Sequence, residues 1–269
     1  MGNVTPNAPH RLKDAFPAHY QSGNILLINA DCMEVMKHIR DGEFDLACVD
    51  PPYGRGEDGG TNRCGNVKQK NGTVLPCMDG GYAKKDWDKE PPPPEFFAEL
   101  RRVAKHQIVW GANYMPVKLH GGAIVWDKVN DGSDQSGAEI AYCSLNERVD
   151  VVRYMWRGMM QGEAVGSARQ QGNKALNERR THPTQKPVKL YEWLLRQYAR
   201  PGMLVLDTHL GSGSIAIAAH RAGVELVGCE IDADYWRAAK ERYAAETRQV
   251  ALFGPQRRVK RAAFAAPLE

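Results

Sequence analysis

The sequence predicts an α/β fold with a mostly parallel sheet. Three observations carry this. The run Met203-Leu204-Val205-Leu206 is apolar at every position, as a strand covered on both faces must be. The pattern after it alternates, with a helix over 214–221, a strand over 225–229 and a helix over 234–247, which makes a βαβα unit. With 269 residues the chain can bury a sizeable core, enough for one such domain with insertions.

Taken in order, residues 1–23 contain Pro, Asn and His without periodicity and read as an N-terminal arm. Residues 24–254 read as the domain itself. Asn24 to Asn29 is a strand candidate, and Asp31 then caps a helix carrying Met33, Val35, Met36 and Ile39 at helical spacing. Phe44 to Val49 reads as a buried strand that ends in Asp50-Pro51-Pro52-Tyr53. Residues 55–87 are rich in glycine and charge and poor in core residues. A loop of that length inside a compact domain is functional or unstructured. Prolines 91–94 halt the chain, and 95–105 reads as a helix with Phe96, Phe97, Leu100 and Val103 facing inward. Strands are expected at 107–110, 123–126 and 149–154. A second glycine-rich polar stretch covers 157–181, and 182–187 leads into a helix over 188–198 that Arg200-Pro201-Gly202 ends. Residues 255–269 form a basic tail.

Composition narrows the function classes. A net charge of +4 permits a nucleic-acid partner without demanding one. The six cysteines show no CxxC spacing, so no zinc or other metal site is expected, and reduced thiols in a cytoplasmic protein are the simpler reading. No apolar stretch is long enough to span a bilayer, and the first residues lack the apolar core of an export signal.

Asp50-Pro51-Pro52-Tyr53 places a carboxylate, a stiffened carbonyl and an aromatic ring together where a strand ends. Proline fixes φ and pushes the preceding residue toward extended geometry, so two in a row make a rigid corner. Asp50 and the Pro51 carbonyl can then both point out of the strand end. Two acceptors gripping the hydrogens of an exocyclic amine favour a pyramidal nitrogen and free its lone pair for attack. Tyr53 can stack on the flat base that carries the amine. An ordinary turn is the plain alternative, because Asp and Pro are common turn formers. The strand before the corner and the loop described next favour the functional reading.

That loop is Asp207-Thr208-His209-Leu210-Gly211-Ser212-Gly213, between a strand and a helix. Glycines there allow a tight turn and close approach to a ligand. Nineteen residues after Gly211, the next strand ends at Glu230, placed to accept hydrogen bonds from ribose hydroxyls. Ala216 stands where a dinucleotide loop has its third glycine, and Asp207 would repel a pyrophosphate. A cationic sulfonium cofactor with an amino-acid tail suits both features.

The catalytic corner followed by the cofactor loop, in this order, resembles the β group of amino DNA methyltransferases, N6-adenine-specific enzymes of restriction–modification or solitary bacterial and phage type. His182-Pro183-Thr184-Gln185-Lys186-Pro187 is close to the family's motif ahead of the cofactor strand. Trp110-Gly111-Ala112-Asn113-Tyr114 and Trp126-Asp127-Lys128 also look like family motifs. The resemblance implies a twisted, seven-stranded-type Rossmann-like sheet with helices on both faces and a circularly rearranged motif order. It implies S-adenosylmethionine as cofactor, held by Asp207, Gly211, Ser212, Gly213 and Glu230, with Thr184 and Lys186 at its methionine part and Asp31 and Cys32 on its adenine side. It also implies Asp50, Pro51, Pro52 and Tyr53 as the catalytic residues. The family usually has Asp-Pro-Phe where this chain has Asp207-Thr208-His209, and His209 reads as a tolerated replacement rather than a proton-transfer group.

Double-stranded DNA is the implied substrate. Candidate contacts are Arg55, Arg63, Lys68, Lys70, Lys84 and Lys85 in the first loop. Arg169, Lys174, Arg179 and Arg180 lie in the second, where the family keeps its target-recognition region. Such cations would mainly grip phosphates. The second segment is short for reading several base pairs alone, so a homodimer is expected, and a fully active monomer in sedimentation would exclude it. A cognate restriction nuclease is the further partner that the resemblance brings. Cytosine N4 methylation uses the same chemistry; Ser more often opens that motif, so Asp50 favours adenine. A catalytically silent DNA-binding or protective protein is the alternative from another class.

Overall fold

The computed structural model describes residues 7–59, 67–68, 74–75, 82–131, 136–157 and 160–253. Most of the loop expected at 55–87, including Arg63 and Lys70, and the whole tail 255–269 lie outside them.

In chain order the strands are β1 (His19–Ser22), β2 (Ile25–Asn29), β3 (Phe44–Val49), β4 (Val67–Lys68), β5 (Val74–Leu75), β6 (Ala104–Trp110), β7 (Gly122–Asp127), β8 (Ala138–Cys143), β9 (Val149–Arg153), β10 (Trp156–Arg157), β11 (Met160–Gln161), β12 (Leu204–Asp207) and β13 (Glu225–Glu230). The helices are α1 (Ala8–Ala15), α2 (Cys32–Lys37), α3 (Pro94–Val103), α4 (Val188–Tyr198), α5 (Ser214–Ala222) and α6 (Ala233–Phe253). Nine strands form one sheet in the order β1-β2-β13-β12-β3-β6-β8-β7-β9. Only β1 and β8 run against the rest, so the sheet is mostly parallel, as the sequence predicts.

The apolar runs explain the two-sided cover. Alternate residues of a strand point to opposite faces. Ile25, Leu27, Leu46, Cys48, Val205 and Leu226 pack with Leu190, Leu194, Ile215, Ala218 and Tyr243 of α4, α5 and α6. Leu26, Ile28, Ala47, Val49, Leu206 and Val227 pack with Leu12, Val35, Met36, Phe96 and Leu100 of α1, α2 and α3. Each fully buried Val, Leu, Ile, Met or Phe among them contributes roughly 1.5–3 kcal/mol.

The sheet changes direction of winding between β12 and β3. From β12 the chain passes through α5 to β13 on one side, and from β3 it passes through α3 to β6 on the other. Val205 lies opposite Leu46 and Leu206 opposite Ala47, so Asp207 and Asp50 leave neighbouring parallel strands at the same end. In open α/β sheets such a switch point is where ligands bind.

Three expectations are corrected. Residues 8–22 are not an aperiodic arm. Asn7 caps α1, Ala8 and Leu12 bury one side of it, and β1 extends the sheet edge beside β2. An eight-residue helix with only two buried apolar positions shows too little periodicity to read. The helix expected over 95–105 ends at Val103, because Ala104 already belongs to β6. The sheet also gains β8, whose inward positions are filled by Ala141 and Cys143, small residues that give a weak strand signal.

Candidate active site

The corner after β3 is built from three sides. Tyr53 donates its hydroxyl proton toward Asp50 Oδ1 at 2.7 Å. Lys186 Nζ reaches the same oxygen at 2.5 Å and the Tyr53 hydroxyl at 3.0 Å. Glu139 on β8 places Oε2 3.0 Å from Lys186 Nζ and 3.2 Å from the Tyr53 hydroxyl, and Lys128 holds its Oε1 at 2.5 Å. Asp50 Oδ1 therefore carries both of the carboxylate's hydrogen bonds among the described residues, and Oδ2 is left to the site.

Burial pushes the Asp50 carboxyl above the usual carboxylate range, with Lys186 pulling against it. Burial acts the same way on Glu139, but Lys186 and Lys128 outweigh it and bring that group down to about 2. Burial alone would lower Lys186; the charges of Asp50 and Glu139 reverse this and hold it above the ordinary lysine value. The cluster is thus an alternating chain of charges, Lys128–Glu139–Lys186–Asp50, in which each buried ion has an opposite neighbour.

Aromatic rings wall this corner. Tyr114 stacks on Tyr53 with centroids 5.3 Å apart and planes 24° apart, and the Arg55 guanidinium lies 5.0 Å from the Tyr114 ring. Gly111 makes the approach possible. It sits at φ 67°, and a Cβ there would come 2.2 Å from Tyr53 Cε1.

The backbone after the corner is held by one side chain. Asp88, 2% exposed, accepts the backbone N–H groups of Tyr53 (2.8 Å), Gly54 (2.8 Å), Arg55 (3.3 Å) and Glu57 (2.7 Å). An amide at this position would turn donors toward donors. Asp88→Asn is expected to cost about 1–3 kcal/mol and to lower kcat for methyl transfer about tenfold, with cofactor affinity little changed. Thermal unfolding and steady-state kinetics check this, and an unaltered kcat would remove Asp88 from the account.

The cofactor loop follows β12. Gly211 sits at φ 51° and Gly213 at φ 72°, both left-handed. A Cβ on Gly213 would lie 3.0 Å from Ala239 Cβ, so this glycine also lets α5 pack against α6. Glu230 Oε2 accepts from Gly211 N at 2.8 Å and Oε1 from Asp232 N at 3.0 Å. Asp207 accepts from His209 N at 3.0 Å and has no ion-pair partner among the described residues. Burial lifts its carboxyl to about 8. A glycine-built cradle beside two buried carboxylates, neither paired with a cation among the described residues, fits a ligand that brings its own positive charge. Asp31 caps α2 through Met33 N at 2.8 Å, and burial pushes the Cys32 thiol up to about 12, so Cys32 stays protonated.

The remaining expected residues fall as follows. Thr184 is exposed, with Oγ1 3.2 Å from His182 Nδ1. Lys186, expected at the methionine part of the cofactor, has its three donors on Asp50, Tyr53 and Glu139. His209, where the family usually has Phe, packs edge-on to Phe96 at 5.3 Å, and burial lowers its ring to about 4. It is neutral there and packs as an aromatic ring against Phe96. Among the expected DNA contacts, Lys84 pairs with buried Asp58, and Lys85 pairs with Asp232 (2.8 Å) and Asp234 (3.1 Å). Arg169, Lys174 and Arg179 are exposed, whereas the Arg180 guanidinium lies 4.4 Å from the Trp156 ring. Glu139 and Asp88 were not legible in the sequence. Glu139 lies on β8, whose small inward residues give a weak strand signal, and nothing local marks Asp88 as the anchor of a turn 35 residues earlier.

A family model described as DNA methylase matches residues 125–241. The curated relative named "Putative methylase YubD", from Escherichia coli (strain K12), is 41% identical over 229 residues, covering 82% of this chain and 91% of its own length. The type II methyltransferase M2.DpnII of Streptococcus pneumoniae is 24% identical over 263 residues, covering 85% of this chain and 92% of that one. Among solved structures, the M1.HpyAVI–SAM complex is matched over 81% of this chain and 99% of that chain, with 16% identity and a TM-score of 0.47. With that identity to YubD over most of both chains, and with a motif order and site chemistry that agree, the chain belongs to the N6/N4 DNA methylase family and is an S-adenosylmethionine-dependent DNA methyltransferase.

Proposed function

We propose that the enzyme methylates N6 of an adenine flipped out of duplex DNA at a specific sequence. The observation that carries this reading is the Asp50 carboxylate: Oδ1 is fixed by Lys186 and Tyr53, and Oδ2 is left to the site at a strand end next to the cofactor loop. S-adenosylmethionine, when bound, supplies a methyl group on a cationic sulfur. Asp207 and Glu230 would hold the cofactor's positive and ribose ends, on the glycine cradle at 211–213.

The protein's own part is placement. A base amine in duplex DNA is paired and stacked, so the nucleotide must leave the helix to reach the corner. Asp50 Oδ2 and the Pro51 carbonyl accept the two amine hydrogens, which keeps the nitrogen lone pair out of the ring. Tyr53, backed by Tyr114, gives the base an aromatic wall, where stacking contributes about 1–3 kcal/mol per base. Electrostatic preorganisation and alignment supply most of the acceleration.

The experiment is direct. Duplex DNA treated with enzyme and cofactor is digested to nucleosides and analysed by mass. N6-methyladenine supports the reading; N4-methylcytosine, or no methylated base, overturns it.

Exposed Arg169, Lys174 and Arg179, with Arg55 beside the corner, suit a surface that grips phosphates, and a second subunit would extend it. Duplex binding is therefore expected to weaken steeply with salt, by about tenfold or more between 50 and 200 mM, as neutralised phosphates release counterions. A fluorescence-anisotropy titration with a flat salt response would argue against phosphate contacts by these residues. Among the described residues no helix is long and apolar enough to cross a membrane.

A further inference from the structure

We propose that Glu139 is a positioning residue for methyl transfer: it anchors the Lys186 ammonium so that Asp50 keeps one oxygen free for the substrate amine. The inference rests on the reading of Asp50 as that amine's acceptor.

An ammonium has three protons and no acceptor. Those of Lys186 go to Asp50 Oδ1 (2.5 Å), the Tyr53 hydroxyl (3.0 Å) and Glu139 Oε2 (3.0 Å). The Lys186 side chain is only 4% exposed, so water is no ready substitute for any of the three. Without the Glu139 carboxylate, one proton loses its partner. The nearest remaining charge is Asp50, and the ammonium would turn to bridge both of its oxygens. That occupies the place of the base amine and ties up the acceptor the reaction needs. Glu139 prevents this by keeping that proton engaged.

Glu139 is itself held. Lys128 grips its other oxygen at 2.5 Å. Next to Lys128, Val129 sits at φ 52°, a left-handed conformation that β-branched residues avoid. Its N–H is tied to Asp127 Oδ1 at 2.8 Å. Backbone strain of this kind persists where the surroundings over-determine it and gathers at functional sites. β8 fixes the base of Glu139 by pairing it with Trp126 of β7, so the carboxylate reaches the corner from a sheet position rather than from a loop.

A mere structural ion pair would be felt in stability and in every ligand equally. A positioning role separates the readouts. Glu139→Gln is expected to lower single-turnover methyl transfer about 10–100-fold while the S-adenosylmethionine dissociation constant, measured by calorimetry, stays within about threefold. The acid limb of the rate profile should move to lower pH. Asp50 then faces Lys186 and Tyr53 without the Glu139 charge, with Asp207, Cys48 and Tyr191 around it unchanged. In a Lys186→Met background, Glu139→Gln should add no further loss, since the residue acts through that lysine. Glu139→Asp keeps the charge but shortens the reach. It should lose rate with the acid limb in place, and it serves where the glutamine variant does not fold.

A Glu139→Gln enzyme within about twofold of the wild-type rate overturns the inference, as do losses that multiply in the double variant or a parallel loss of cofactor binding. If Asp50→Ala is inactive and Glu139→Gln is not impaired, only this inference fails. If Asp50→Ala methylates at full rate, the reading of the corner fails with it.

Discussion

Asp50→Ala is expected to abolish methyl transfer, by at least about 100-fold, with cofactor affinity within about threefold of wild type. The size follows from what the side chain does. On the proposed reading it accepts a base hydrogen through Oδ2, and it closes the charge chain through Oδ1, where Lys186 and Tyr53 converge. Alanine removes the acceptor and leaves Lys186 with Glu139 as its one carboxylate partner. Asp50→Asn keeps one acceptor oxygen, for which Lys186 and the base amine compete, and loses the charge, so its activity should fall between those of wild type and the alanine variant. Radiolabelled methyl incorporation gives the rate, and calorimetry gives the cofactor affinity. Equal loss of both in the alanine variant would place Asp50 in the cofactor site instead.

Asp207→Asn should separate stability from function. The Asp207 carboxyl is raised by burial from the ordinary value of 3.8 to about 8, with Asp50 and Glu230 adding repulsion. Between those two values the native state holds a proton that the unfolded chain releases. The stability contributed by this group is therefore complete below pH 3.8 and is lost as pH rises toward 8. Asparagine removes that dependence. The variant should be more stable than wild type at pH 7, on the order of 2–4 kcal/mol, and the difference should shrink as pH falls toward 4. Thermal unfolding of the two proteins across that range reads the difference directly. Cofactor binding should move the other way, weakening about 10–100-fold, because a cation loses its buried carboxylate. Wild type should also release a proton when it binds the cofactor near pH 7, seen by calorimetry in buffers of different ionisation enthalpy, and the variant should not. A variant that is neither stabilised nor weakened in binding would show that Asp207 is charged and paired in a way that this geometry does not hold.

Both expectations turn on a site that is charged, buried and balanced within itself. Asp50, Glu139, Lys186 and Lys128 neutralise one another, whereas Asp207 has no cation among the described residues. A DNA methyltransferase of this family uses a cationic cofactor, and an unpaired buried carboxylate is the group that gains most from its arrival.

Sequence alone determined the elements whose signal is local. A parallel strand buried on both faces must be apolar at every position, so β2, β3, β12 and β13 were legible as runs. The rigid corner at Asp50 to Tyr53 and the glycines at 211 and 213 declared themselves because proline and glycine restrict or release the backbone wherever they stand. Those features were enough for the fold class, for the family and for the pairing of a catalytic half with a cofactor half. What the tertiary structure decided is the company these residues keep. Residues 8–15 packed as a helix on one face, 19–22 joined the sheet edge and β8 entered between β6 and β7, although none carried a strong periodic pattern. With β8 came Glu139, and with the packing of 82–90 came Asp88 beneath the turn. Lys186 came to face Asp50 across the sheet's switch point. The contacts of Asp88 and Lys186 join residues separated by 31 to 136 positions, and partnership at that separation depends on distance and dielectric in the folded state, which no local pattern encodes.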